Sequence, residues 1–507
     1  MNRTTLSLIA GTTALAAVTG FAALTAPDAS GSGSEKTAAR LPVERTRLLC
    51  PGPSTSDIAE TSYASFTPVS QGTSDSGKAE LTAATAQSAD GSASGSGTGG
   101  KSGAHKKQPK APIVAPKEPG TPVTGDSSGA DAPALIGTAT GRFAPGWTVQ
   151  ATTQVAAGTG RGLLGINCTD PDTEFWFPGA STSGSRTDYV HLTNPDDDAA
   201  VVDIELYGKD GDLKSTVGEG ITVKPHSSDP VLLSTLSDAR ENDLTVHVSV
   251  RSGRVAAAVQ ALDDKTGGDW LAASVEPAGS LVMPGIPKDA TNVRLIAFVP
   301  GDTDADLTVR LASPTGRITP AGNESLHVKS RMTAGLDLGD VTRGEAGSLV
   351  LTPSGAEVPV VAALRVVRGK GDQQETAFIP ATAPVGTRAS VAGNTAKGTT
   401  LALTAPDGAA TVKVTASAGS EGGTAETKQY TIKAGTTQNV EAPVPSGLKG
   451  TYALTVETVS GGPVYAARTL EATTKGTAAF TVQTLPDDRG TVEVPHADQD
   501  LSVLLKK

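Results

Sequence analysis

The sequence predicts an all-β protein of tandem immunoglobulin-like β-sandwich modules, with a long disordered insertion near the amino terminus. Three observations carry that prediction. Apolar side chains recur at every second position from Asp188 onward, a Ser-Gly turn recurs about every 100 residues, and one polar tract is too poor in apolar residues to fold.

The chain begins with Met1-Asn2-Arg3 and then an uncharged run, Leu6 to Ala26, LSLIAGTTALAAVTGFAALTA. As a helix at ~1.5 Å per residue this run reaches ~32 Å, enough to cross a hydrocarbon core of ~30 Å. Arg3 precedes the run while Asp28 and Glu35 follow it, which orients the rest of the chain outward. Residues 1–26 therefore read as a signal anchor or a signal peptide. Pro27 stands directly after Ala26, the position where cleavage is least favoured. The expected location is extracytoplasmic: anchored in the membrane if the segment is retained, secreted if it is removed.

Residues 27–69 read as a tether and first strands, including TRLLCPGP from Thr46 to Pro53. Residues 70–132 read as the disordered low-complexity tract, Ser/Gly-rich and then Pro/Lys-rich. Its lysines, Lys101, Lys106, Lys107, Lys110 and Lys117, are expected to be solvated. The chain has two cysteines, Cys50 and Cys168, each at the end of a short apolar run. In an oxidising exterior they are expected to pair and to hold the tract as a loop fixed at both ends.

Residues 133–285 are expected to be an amino-terminal sandwich region with the first repeat module, 286–385 the second module and 386–507 the third. In VVDIELYG, Val202, Ile204 and Leu206 share one face, and Asp203, Glu205 and Tyr207 the other; LTVHVSV alternates likewise through Leu244, Val246, Val248 and Val250. Aligned turns at Ser252-Gly253, Ser354-Gly355 and Ser460-Gly461 read as hairpins, each preceded by an Asp-bearing opening turn: Asp196-Asp197-Asp198, then Asp302, Asp304 and Asp306, then Pro406-Asp407-Gly408. Turn chemistry accounts for those acids without a calcium ion.

The net charge of −11 removes any general attraction to nucleic acid. GDSSG (Gly125 to Gly129) matches a nucleophile-elbow pattern but lacks the strand-to-helix context that the chemistry needs. The histidines (His105, His191, His226, His247, His327 and His496) show no metal-ligand spacing, although His191 and His247 lie in strands of one module and could approach each other. No catalytic residue, cofactor or metal ligand is assigned. The candidate recognition patch is Phe175, Trp176 and Phe177, a strand apolar on both faces; such a strand is either buried on two sides or exposes a contact surface.

LLCPGP, then RGLLGINCTDPDTEFWFPG, then YVHLTNPDDDAAVVDIELYG resemble an uncharacterised family of actinobacterial exported envelope proteins, known as a domain of unknown function. The resemblance implies an exported or anchored protein with no assigned activity. The expected role is a non-catalytic accessory or scaffold in the cell envelope, supporting glycan assembly, with envelope proteins or wall glycan as partners. Two rivals stand beside it: a glycan-binding surface protein using the aromatic strand, and an enzyme whose site one sequence does not reveal.

Overall fold

The computed structural model describes residues 39–84, 111–215, 217–474 and 477–494. The leader Leu6–Ala26, most of the tract lysines and residues 495–507 of the last predicted domain lie outside them. Among the described residues the regular elements are strands, apart from three single-turn 3-10 segments, and no helix is long and apolar enough to cross a membrane.

The body Pro42–Thr491 contains four sandwiches, one more than the repeat predicts. In each, seven principal strands take the same places. The first, fifth and third form one sheet, and the fourth, second, sixth and seventh form the other. In the first module the sheets are Arg45–Cys50, Leu135–Thr140 and Ala79–Ala83 against Val123–Ser128, Ala59–Phe66, Thr148–Val155 and Gly162–Asn167. The next three modules open with Glu174–Ala180, Leu281–Ile286 and Arg388–Asn394 and close with Gly267–Leu271, Glu375–Pro380 and Thr477–Thr484. Each pair of sheets encloses its own apolar core. A short two-stranded ribbon pairs Ala39–Pro42 with Thr491–Val494, and within it Arg40 meets Glu493 at 2.9 Å.

Two expectations change. Part of the 70–132 tract is ordered. Ala79–Ala83 pairs with Leu135–Thr140, burying Ala79 and Leu81, and Val123–Ser128 pairs with Ala59–Phe66. GDSSG thus begins inside an edge strand, not in disorder. A few small apolar residues suffice to seat such strands when the neighbouring strand supplies the ladder, which composition over a long window does not register.

The second change concerns the Ser-Gly turns, which are corners between sheets and not hairpins. Leu244–Ser252 pairs with Ala200–Gly208 and Glu174–Ala180, whereas Ala256–Asp263 pairs with Arg186–Thr193 and Gly267–Leu271. The two runs face each other across the core. Period-two alternation is the same for a ladder partner and for a partner in the facing sheet.

The four modules close into a ring. The first strand of the second module packs on the second and sixth strands of the third; the third module repeats this on the fourth, and the fourth on the first. The first module meets the second through a shared apolar cluster that includes Ala258, Leu262 and Trp270, and through Gln260, which donates to the Pro53 carbonyl at 3.0 Å. At the centre the four seventh strands run side by side, each against its two neighbours round the ring. Gly267–Leu271 and Glu375–Pro380 are consequently buried along their whole length, on both faces.

Candidate functional site

The cysteines sit where the fold brings the ends of the first module together. Cys50 closes its first strand, Cys168 follows its last, and the two form a disulfide with Cα atoms 4.5 Å apart. Both are buried. The bridge staples the whole module, including the connection that carries the low-complexity tract.

The aromatic strand is buried on both faces. Phe175 and Phe177 enter the core of the second module. Trp176 points the other way, 5% exposed, into the junction with the third module, where it meets Tyr207, Phe298 and Val361. It stacks on His247 with ring centroids 3.8 Å apart, and its Nε1 donates to Glu174 at 3.1 Å. His247 Nδ1 lies 2.7 Å from Glu205, which also accepts from the Tyr207 hydroxyl at 3.0 Å. These residues form an internal seam between modules, so the surface needed for recognition by this strand is not there. Tyr207, on the strand face opposite Val202, Ile204 and Leu206, is 3% exposed for the same reason.

His191 and His247 do not meet. Val190 and Leu192 on one sheet, and Val246 and Val248 on the other, fill the core between them, so both imidazoles point outward in opposite directions. His191 packs on Trp270 at 5.0 Å, and burial pushes its pKa down to about 4.

The acidic opening turns find basic partners. Asp196 receives Arg254 at 2.9 Å and Arg47 at 2.5 Å, and the hydrogen bond from Arg254 leads in holding its carboxyl below the usual range. Asp197 lies 2.7 Å from His226, Asp306 lies 2.8 Å from His327, and Asp407 pairs with Arg317 at 2.9 Å. Asp304 accepts the Ser330 amide at 2.8 Å.

The polar groups at the ring centre were not singled out in the sequence. Asp269 of the second module is fully buried and accepts the Gly165 amide of the first module at 2.9 Å, its neighbour Trp270's amide at 2.8 Å and the Thr481 hydroxyl of the fourth at 3.0 Å. Burial holds its carboxyl well above the usual range despite these donors. Gly165 is required here by close approach, because a Cβ would sit 2.5 Å from Thr481 Cγ2. Arg161 of the first module donates to the carbonyls of Lys265 in the second at 2.7 Å and Gln374 in the third at 3.1 Å.

Glu375 of the third module is 3% exposed beside this junction, and its Oε2 has no hydrogen-bond partner among the described residues. Burial pushes its carboxyl up to about 7, with Arg161 pulling the other way. Because the folded value lies above an unfolded value of about 4.3, the folded state holds this proton more tightly. The stability it contributes is complete below about pH 4.3 and is lost as the pH rises to about 7. Glu375→Gln is therefore expected to raise the unfolding free energy over that of the native chain at about pH 8, by on the order of 2 kcal/mol, with no such gain at about pH 4. Urea titrations at both pH values check this, and equal shifts at the two would contradict it.

The fourth-to-first closure is a second buried polar clasp. Arg468, fully buried, donates to the Ala392 carbonyl at 2.6 Å and also to Gln483, and burial lowers its pKa to about 9. Gln483 and Gln150 both donate to Asn167, and Gln150 Oε1 accepts the Ala392 amide at 2.7 Å. Every buried group placed between modules needs such a partner, since an unpaired one is destabilising.

Between the third and fourth modules the surface opens into two neighbouring hollows of about 370 and 640 Å³ that share Asp289, Arg368 and Glu471. Arg368 bolts the modules together. It meets Asp289 of its own module at 2.6 Å and Glu471 of the fourth at 2.7 Å, and lies 4.6 Å over the Phe480 ring. Glu375, directly across the ladder from Arg368, stands in the wall of the smaller hollow with Gln373 and Lys397. The larger hollow is walled by Lys288, Gln438, Asn439 and Glu441, among others.

Against known proteins, one family model matches, described as a family of unknown function (DUF5719), over residues 123–443. The match runs from the fourth strand of the first sandwich to just past the fourth strand of the last, Thr436–Glu441. No curated protein and no solved structure matches.

Proposed function

The chain belongs to that family of unknown function, and from this membership and the closed ring we propose that it is a non-catalytic accessory or scaffold protein working outside the cytoplasmic membrane. The observation that carries the reading is the ring itself. Buried aromatic and polar junctions lock four sandwiches into one body, so its outer surfaces hold fixed positions relative to one another, as a platform for partners requires. Tandem modules joined only by linkers would move independently instead.

Export rests on the outward-oriented apolar leader and on the buried Cys50–Cys168 bridge, a type of bond that persists in oxidising compartments. The envelope, and glycan assembly at its outer face, is the setting that fits an exported platform of this kind. Crosslinking in intact cells, followed by purification of the tagged protein from membranes, is the test. Envelope proteins are expected to travel with it in fixed proportion. Recovery of the protein with no envelope component would contradict the role.

A further inference from the structure

We propose that the paired hollows between the third and fourth modules form a binding site for a neutral oligosaccharide. The inference does not rest on the scaffold reading, and it does not use the buried aromatic strand.

The volumes, about 370 and 640 Å³, fall in the range of ligand sites, and the shared residues Asp289, Arg368 and Glu471 make one extended furrow of the two. Its chemistry is that of a surface meeting hydroxyl groups, each of which both donates and accepts. Acceptors come from Asp289 and Glu471, which each give one oxygen to Arg368 while their side chains remain 52% and 46% exposed. The carboxamides of Gln373, Gln438 and Asn439 offer donors and acceptors together, and Lys288 and Lys397 add donors at the walls. Apolar patches from Pro287, Pro314, Ala346 and Val440 lie among these groups, suited to the C–H faces of a sugar ring.

Two features are needed before such a surface counts as a site. The first is rigidity. Arg368 is held by carboxylates from both modules and by the Phe480 ring, so the walls do not slide past each other. The second is a polar group lacking a partner. Glu375 stands in the wall of the smaller hollow with its buried Oε2 unpaired among the described residues.

Charge selects the class of saccharide. Apart from Glu375, whose carboxyl holds its proton up to about pH 7, acids outnumber bases in the walls by four to three, which disfavours a phosphate-bearing or uronic-acid polymer.

The experiment uses the exported body of the protein on an array of immobilised oligosaccharides from neutral, amino-sugar and acidic classes. Titration with the tightest neutral oligosaccharide follows. Retention of neutral oligosaccharides is expected, with affinity at least tenfold lower in the double variant Lys397→Ala/Asn439→Ala. Both side chains are exposed, so the melting temperature of that variant should match the native protein and separate lost contacts from lost fold. Glu471→Gln, which keeps the shape of the side chain, is expected to weaken binding as well. Retention of acidic glycans only, of no glycan, or of neutral glycans equally by native and variant proteins would each overturn the proposal.

Discussion

Replacing Cys50 and Cys168 together by alanine is expected to lower the unfolding free energy by about 4–5 kcal/mol. The bridge closes a loop with a sequence separation of 118 residues, so its removal releases a large part of the unfolded chain's conformational freedom. In the folded protein the effect is local. Cys50 ends the first strand of the first module and Cys168 follows its seventh, so the bridge joins the two sheets at the edge opposite the third and fourth strands. Urea unfolding of the native and double-variant proteins without reductant measures the difference. Reductant should bring the native protein to the variant's stability and leave the variant unchanged. A loss below about 1 kcal/mol would show that the surrounding core, including Leu48, Tyr63 and Trp147, holds the module unaided.

Asp269→Ala is expected to cost about 3–5 kcal/mol. The substitution leaves the Gly165 amide, the Trp270 amide and the Thr481 hydroxyl without their buried acceptor, each worth about 1–3 kcal/mol when unsatisfied. Two of those donors belong to other modules, so the damage reaches the first, second and fourth sandwiches at once. Asp269→Asn keeps one acceptor oxygen and should cost less than half as much. Thr481→Val, which removes one donor and keeps the shape, should fall between the native protein and Asp269→Ala. Calorimetry on the three variants checks the order. If Asp269→Ala proved no worse than Asp269→Asn, the carboxylate would not be tying the modules together.

The fold class was legible because alternation is local. Val202, Ile204 and Leu206 are buried as their spacing predicts, and so are Leu244, Val246 and Val248. The repeat was legible through its opening turns, which stand between the second and third strands in each of the last three modules. The first module escaped because the low-complexity tract interrupts it between the third and fourth strands and its opening connection, residues 67–78, is longer than the others and sets Asp75 far from the second strand.

Ring closure was hidden for a different reason. A face turned toward another module need not be aliphatic. Tyr207 and His247 line one seam beside Trp176, and Arg468, Gln483 and Asn167 another, and in sequence all of these but Trp176 look like the solvent side of an alternating strand. The strand around Trp176, apolar on both faces, carried a readable sign of burial on two sides. Asp269 in Gly267–Leu271 and Glu375 at the start of Glu375–Pro380 gave a weaker one: single acids in strands otherwise fit for a core. Only the meeting of four distant segments makes those acids interpretable, and strand spacing does not encode which segments meet.

Small-angle scattering from the body Pro42–Thr491 tests closure most directly. A compact unit the size of Pro42–Thr491 should give a radius of gyration of about 22 Å. Four sandwiches strung end to end, with strands rising about 3.3 Å per residue plus their loops, would give roughly 40 Å. A value near the smaller figure is what four modules sealed first to last require; a value near the larger would mean that the fourth sandwich does not return to the first.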